Sequence, residues 1–350
     1  MTDELRERLQ HRHRVTIPWS DDPTRGVGGA TFDALLDRWA NDFDWAVQER
    51  RIDGLPWQSV KSDDTELRLI HQRSADLDAP VVVLLHGWPD SVLRFERVLP
   101  LLTDFHVVVP ALPGFPFAPP LTTPGMSANR IAGIIADALD QLGYDRYTLS
   151  AGDVGGIVAE ILAAEHPGRV ASLHLTNVAL RRAATADPAK LAPDAAGYPA
   201  QAGQWSRANG GFVAEQSTRP NTLAVALGDS PAGLAAWIAE KLQAWSGEGA
   251  FTPDDILTWV TAYWTTGAIA TSFATYVEPP TLAPHIDAPT VLSVFADDFL
   301  PAPRSYAEAF LNVREYVEHP AGGHFAAWEQ PEAYAADIRR AIKLGGGVRS

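Results

Sequence analysis

Near its start the chain places apolar residues at helical spacing. In TFDALLDRWANDFDWAVQERRI, Phe32, Leu35, Leu36, Trp39 and Phe43 fall on one face of a predicted helix. Trp45 and Trp57 add large apolar surface to the same short region. A segment of this size cannot bury its aromatics alone, so residues 1–75 are expected to form an arm packed on the rest of the protein. From Glu66 the rhythm becomes strand, turn, helix. ELRLIHQ alternates, APVVVLLHG is a continuous β-branched run of the kind buried on both faces, and FHVVVPAL repeats it. SANRIAGIIADALDQLG reads as an amphipathic helix with Ser127 as its cap and Gly143 as its stop. RYTLSAGD, GGIVAEILAAEH and VASLHLTNV continue as strand, helix and strand.

The pattern breaks between about 179 and 284, where GLAAWIAEKLQAW and DDILTWVTAYW carry only helical periodicity. It resumes with APTVLSVFAD, an amphipathic segment around SYAEAFL, VREYVEHP and a last helix from Pro331. Strands alternating with helices predict an α/β fold, a mostly parallel sheet with helices on both faces. The expected organisation is an arm over 1–75, a first core part over 76–178, a helical insertion over 179–284 and a second core part over 285–350. There is no internal repeat, and GGGVRS at the end is the only linker-like stretch.

Composition narrows the function. With 46% hydrophobic and 20% charged residues the chain is an ordinary globular protein. A net charge of −15 argues against nucleic acid, whose backbone needs a basic surface. Zero cysteines excludes disulfides, thiolate metal sites and a cysteine nucleophile. The first ten residues are charged and no apolar run reaches about 18 residues, so a soluble cytoplasmic protein with no membrane association is expected. The high Ala, Asp, Gly and Pro usage suggests a bacterial source. GVGGAT at Gly26 follows no strand and no residues have metal-ligand spacing, so neither cofactor nor metal is expected. His11 and His13 read as solvent-facing, and His71, His106 and His174 as structural.

The sharpest chemical signal is LSAGDVGG, which follows a predicted strand and opens a predicted helix. Small residues crowd one acidic side chain there, the context of a nucleophile elbow, with Asp153 at the elbow position in place of serine. A carboxylate nucleophile displaces at carbon and leaves an ester that water must cleave. The plainer reading is a loop whose aspartate caps a helix. His86-Gly87-Trp88-Pro89, after the strand VVVLL, can aim a backbone N–H such as that of Trp88 at the elbow, and the N–H of Val154 would complete an oxyanion hole. ADDF offers Asp297 and Asp298 after a later strand, and PAGGHF places His324 on a glycine loop after the last one. Nucleophile, acid, histidine is the chain order of α/β-hydrolases, and His324 would activate water while an aspartate fixes its tautomer.

Taken in order, DFDWAVQERRIDGLP, HGWPDSVLRFERVLPLL, PALPGFPFAPP, AGDVGG, GDSPAGLAAWIAEK, YWTTGAIATSF and GGHFAAWEQPE resemble the epoxide hydrolases of the microsomal and juvenile-hormone type, over nearly the whole chain. The resemblance implies an α/β-hydrolase fold with a helical lid over 179–284, a wrapping arm, a small apolar epoxide as substrate, and a homodimer. It implies that Asp153 opens the epoxide, that His324 activates water, and, matching back from PAPR, that Asp298 is the acid. It also implies two lid tyrosines donating to the epoxide oxygen: one matches Tyr276, but the other falls on Phe212. Phe212, Trp88 and Val154, the last where many relatives have tryptophan, are the implied substrate contacts. Tyr198 and Trp205 are candidates to replace the missing donor. A dehalogenase, which needs an N–H beside the nucleophile that the Val154 side chain lacks, and a non-catalytic homologue are the competing readings.

Overall fold

A computed structural model describes residues 3–62 and 65–346, so the end of the glycine-rich tail lies outside the described residues. The arm contains α1 (Asp3–Gln10), α2 (Gly29–Asn41) and α3 (Trp45–Asp53). The expected single helix is broken between α2 and α3, because the Asp44 side chain caps Ala46 N–H and starts a new helix. Phe43 therefore sits in the break, yet stays buried.

Among the described residues eight strands form one sheet in the order β1-β2-β4-β3-β5-β6-β7-β8. They are β1 (Trp57–Ser62), β2 (Thr65–Gln72), β3 (Val81–Leu85), β4 (His106–Pro110), β5 (Tyr147–Ala151), β6 (Val170–Leu175), β7 (Ile286–Phe295) and β8 (Leu311–His319). The two edge pairings β1–β2 and β2–β4 are antiparallel, and β3 to β8 run parallel. The strand at 57–62 was not expected: the segment read as the arm ends in two antiparallel strands, β1 and β2, that belong to the sheet. WQSVKS has only two apolar positions, Trp57 and Val60, too few to read as a strand.

Alternate strand residues feed two apolar layers, as the period of two requires. Val83, Leu85, Leu149 and Ala151 pack with α4 (Ala128–Gln141) and α5 (Asp153–Glu165). Val82, Leu84, Val107 and Val109 face the other way, onto Tyr334, Ile338 and Ile342 of the last helix.

Between β6 and β7 the chain is helical: α6 (Arg181–Thr185), α7 (Tyr198–Asn209), α8 (Gly211–Thr218), α9 (Pro220–Asp229), α10 (Pro231–Ala244), α11 (Pro253–Thr266) and α12 (Ala274–Val277). After β7 come α13 (Arg304–Glu308), α14 (Ala326–Glu329) and α15 (Pro331–Leu344). The arm clamps onto α10 and α11 of the helical segment. Trp39 donates its indole N–H to Thr261 at 2.9 Å in a buried contact, and Arg38 grips Asp254 with two hydrogen bonds of 2.7 and 2.8 Å. Among the described residues no single helix is long and apolar enough to cross a membrane.

The turn from β5 into α5 is the tightest point. A Cβ added to Gly155 would lie 2.3 Å from the Leu85 carbonyl oxygen. Gly155→Ala is therefore expected to destabilise the protein by about 1–3 kcal/mol through forced backbone shifts. Thermal denaturation indistinguishable from wild type would contradict this close packing.

Candidate active site

The carboxyl ends of the parallel strands meet in one crevice, the usual ligand position in an open α/β sheet. Asp153 stands at the head of α5 with φ of +53°, a left-handed conformation that a non-glycine residue adopts only when its surroundings force it. Its N–H donates to the Asn177 side chain at 3.0 Å, just after β6. Its Oδ1 accepts the Trp88 backbone N–H at 2.8 Å, from the loop after β3. Gly87 must lack a side chain here, since a Cβ would lie 2.5 Å from Asp153. Val154 follows in the first turn of α5, where N–H groups have no partner within the helix.

Asp153 Oδ2 faces His324 Nε2 at 3.5 Å, and His324 Nδ1 lies 3.2 Å from Asp298 Oδ1. The histidine is wholly buried. Burial alone would lower its pKa, but the charges of Asp298 and Asp153 outweigh that and raise it from 6.5 to about 9. Asp298, not Asp297, is the carboxylate on the imidazole. Asp297 instead turns back to accept the Gly322 N–H at 3.1 Å, bracing the loop that carries His324.

Three further anchors fix that loop. Glu329 accepts the N–H groups of Gly323, Phe325 and, across to the end of α10, Gly247, at 2.9–3.1 Å. Burial pushes the Glu329 pKa up, and these three donors pull it partly back. The His324 N–H donates to the Trp245 carbonyl at 2.7 Å. The His324 carbonyl accepts from Arg94, which also holds Asp90 at 2.6 Å. Asp90 in turn accepts the Gly87 N–H at 2.7 Å, so one buried ion pair ties the Trp88 loop to the His324 loop. Burial acts to raise the Asp90 pKa, but Arg94 and His86 more than offset it and hold the carboxyl below its ordinary range.

Above Asp153 lies a cavity of about 450 Å³. Phe212, Tyr276, Val154, Trp205, Trp245 and Phe299 are in its wall. Trp88 is not, which corrects the expectation of a substrate contact through its side chain. Its indole is fully buried and stacked against Phe212 at 5.3 Å, so only its backbone N–H reaches the site. Burial and the Asp153 charge hold the Tyr276 hydroxyl pKa well above 10, which keeps it a proton donor. Of the two proposed replacement donors, Tyr198 is spent elsewhere, donating to the Leu300 carbonyl at 3.1 Å. Trp205 does line the cavity, its ring stacked on Phe299 at 4.4 Å. His71, His106 and His174 lie on β2, β4 and β6, bonded to nearby strand and loop groups. Among the described residues no group of three or more His, Cys, Asp or Glu side chains is arranged to hold a metal ion.

The family model for the alpha/beta hydrolase fold matches residues 80–331, and the model for the epoxide hydrolase N terminus matches residues 1–95. A Stigmatella aurantiaca protein provisionally named as an epoxide hydrolase is 34% identical over 92% of this chain and 78% of its own length. The chain belongs to the epoxide hydrolases of the α/β-hydrolase fold. Epoxide hydrolase 1 of Sus scrofa is 29% identical, covering 98% of this chain and 86% of its own. The solved structure of Aspergillus niger epoxide hydrolase superposes with a TM-score of 0.87 at 27% identity, covering 97% of this chain and 92% of that one.

Asn177, Glu329, Asp90 and Arg94 escaped the sequence reading of this epoxide hydrolase family member. Glu329 lies in GGHFAAWEQPE and the Asp90–Arg94 pair in HGWPDSVLRFERVLPLL, but nothing in a motif says which side chain turns inward. Arg94→Met is expected to cost about 3–5 kcal/mol, because it strands a buried Asp90 charge. Adding Asp90→Asn should recover part of that loss in a urea-denaturation double-mutant cycle. Strictly additive costs would show that the two side chains are not coupled.

Proposed function

We propose that the protein converts an epoxide to a vicinal diol in two steps on Asp153. The observation that carries this reading is the division of labour at one carboxylate. Oδ1 is held by the Trp88 N–H, while Oδ2 is left facing the cavity and His324. The names of the similar proteins support the same reaction.

In the first step Oδ2 attacks a ring carbon and the C–O bond of the epoxide breaks. Its electron pair goes to the ring oxygen, which is stabilised by the Tyr276 hydroxyl as it becomes an alkoxide. Esterified Asp153 no longer carries the charge that helps keep His324 protonated. The imidazole pKa falls, and the proton it releases matches the one the alkoxide takes up. In the second step His324 takes a proton from water, whose oxygen attacks Cγ. The developing oxyanion at Oδ1 meets the N–H groups of Trp88 and Val154. Collapse breaks the bond from Cγ to the ester oxygen, and the remaining carboxyl proton passes to the departing diol. Asp153 is again ionised and His324 again protonated. Asp298 fixes the imidazole tautomer throughout. We take the helical segment from α6 to α12 as the lid that keeps this chemistry dry.

Incubating His324→Gln with aryl, terminal and cyclic epoxides should give an adduct of epoxide mass, mapped to Asp153 by peptide mass spectrometry, while wild type yields diol. Adducts from haloalkanes alone would replace this reading with dehalogenation. With Phe212 apolar, Tyr276 carries the donor role on its wall. Tyr276→Phe should therefore slow ester formation roughly 10²-fold and leave ester hydrolysis much less affected in rapid-quench experiments. Equal slowing of both steps would remove Tyr276 from that role.

A further inference from the structure

Among the described residues lining the cavity above Asp153, Arg181 is the only cation and Asp153 the only carboxylate. The other walls are mainly apolar and aromatic, with Trp205, Phe212, Trp245 and Phe299 prominent. Arg181 is half-buried, at the start of α6. Among the described residues its guanidinium has no carboxylate within ion-pair distance and no hydrogen-bond partner. Its neighbours are engaged: Arg182 with Glu160 at 2.9 Å and Lys190 with Asp187 at 3.7 Å. Arg6, Arg146, Arg207 and Arg219, which also have no acid among the described residues, are exposed, whereas Arg181 is half-buried in the cavity wall.

Its position is equally specific. Arg181, Ala184 and Pro280 form a wall shared with a second groove of about 690 Å³, which also takes in Lys190 and Asp187. Arg181 thus stands where that groove meets the catalytic cavity. Its charge also reaches Tyr276, acting to lower the hydroxyl pKa against burial and Asp153. A neutral apolar ligand would desolvate this guanidinium and give nothing back. An anion would pair with it, and a carboxylate matches its forked donors. A local cation also counters the repulsion that a protein of net charge −15 presents to an anionic ligand.

We propose that the substrate is an amphipathic epoxide bearing a carboxylate, with its acid held by Arg181 at the cavity mouth and its hydrocarbon body along the aromatic wall. This rests on the epoxide-opening reading above and names the substrate class for that site. Arg181 acts in selection and places the ring over Asp153; the chemistry stays with Asp153, His324 and Tyr276.

The test compares terminal ω-epoxy carboxylates of about six to ten carbons with their primary amides, which keep the shape and lose the charge. Styrene oxide serves as a neutral control. Wild type should favour the carboxylate of the best-fitting length by about tenfold or more in kcat/KM, the scale of one charge-assisted contact. In Arg181→Gln the ratio of acid to amide should fall to near one, and Arg181→Lys should restore part of it. Because each ratio is taken within one protein, a loss of folded enzyme cancels. The preference should also shrink with added salt. Equal turnover of acids and amides by wild type, or an undiminished ratio in Arg181→Gln, would overturn the proposal. Turnover of styrene oxide alone would overturn it and leave epoxide opening standing. No diol from any epoxide, with no adduct on His324→Gln, would overturn both.

Discussion

A single buried imidazole between two carboxylates sets the terms for the rest of the molecule. Asp153 and Asp298 arrive from the ends of β5 and β7, and His324 from the loop after β8. Three ionisable groups gathered in a dry place are stable only if their geometry is held, because an unpaired charge there is very costly. This accounts for the polar anchoring of the His324 loop. Glu329 gathers three backbone N–H groups, Arg94 takes the His324 carbonyl, and Trp245 takes its N–H. The same ion pair that fixes His324 also fixes Gly87, beside the N–H that holds Asp153 Oδ1. Nucleophile, oxyanion donor and base are thereby braced against one another rather than separately.

The helical segment and the arm extend this bracing outward. The arm grips α11 through Trp39 and Arg38 and packs α1 and α2 on α10, and the end of α10 supplies the Trp245 carbonyl and Gly247 N–H that hold the His324 loop. Packing of the first fifty residues is thus linked to the catalytic histidine by a short chain of contacts. Over the nucleophile, Trp88, Phe212, Tyr276 and Trp245 form an aromatic cluster with ring centroids 5.2–6.4 Å apart. Phe212 contributes stacking where a hydroxyl was looked for, so the cavity presents one tyrosine donor from this cluster. With Tyr198 bonded to Leu300, Trp205 and Trp245 are the indoles in the wall.

Much of this was legible in the sequence. The buried parallel strands announced themselves as β-branched runs, and the elbow by the small residues around Asp153. The signal works because a turn with φ of +53° at Asp153 and a backbone only 2.3 Å from any Gly155 Cβ leaves almost no freedom of residue type. Chain order pointed to His324 and left Asp297 and Asp298 open, the family resemblance matched the acid to Asp298, and in the structure Asp298 is the one that faces the imidazole. What stayed hidden depends on direction rather than identity. The strand WQSVKS is an antiparallel edge with mixed burial and so lacks an apolar run. Trp88 offered a large side chain, but folding uses its backbone and turns the indole away. Arg181 and Arg182 are adjacent in sequence, and only packing decides that one is buried on Glu160 while the other lines the cavity.

The account stands on His324 being held protonated by both carboxylates until Asp153 is consumed. The most direct test is the pKa of His324, read from the titration of its selectively labelled imidazole by NMR in wild type and Asp153→Asn. In wild type it should titrate at about 9, above the ordinary 6.5. Removing the Asp153 charge takes away one of the two causes that raise it, while burial still acts to lower it, so the pKa should fall clearly in the variant. A His324 that titrates near 6.5 in wild type, or whose pKa is unmoved by Asp153→Asn, would contradict the central claim.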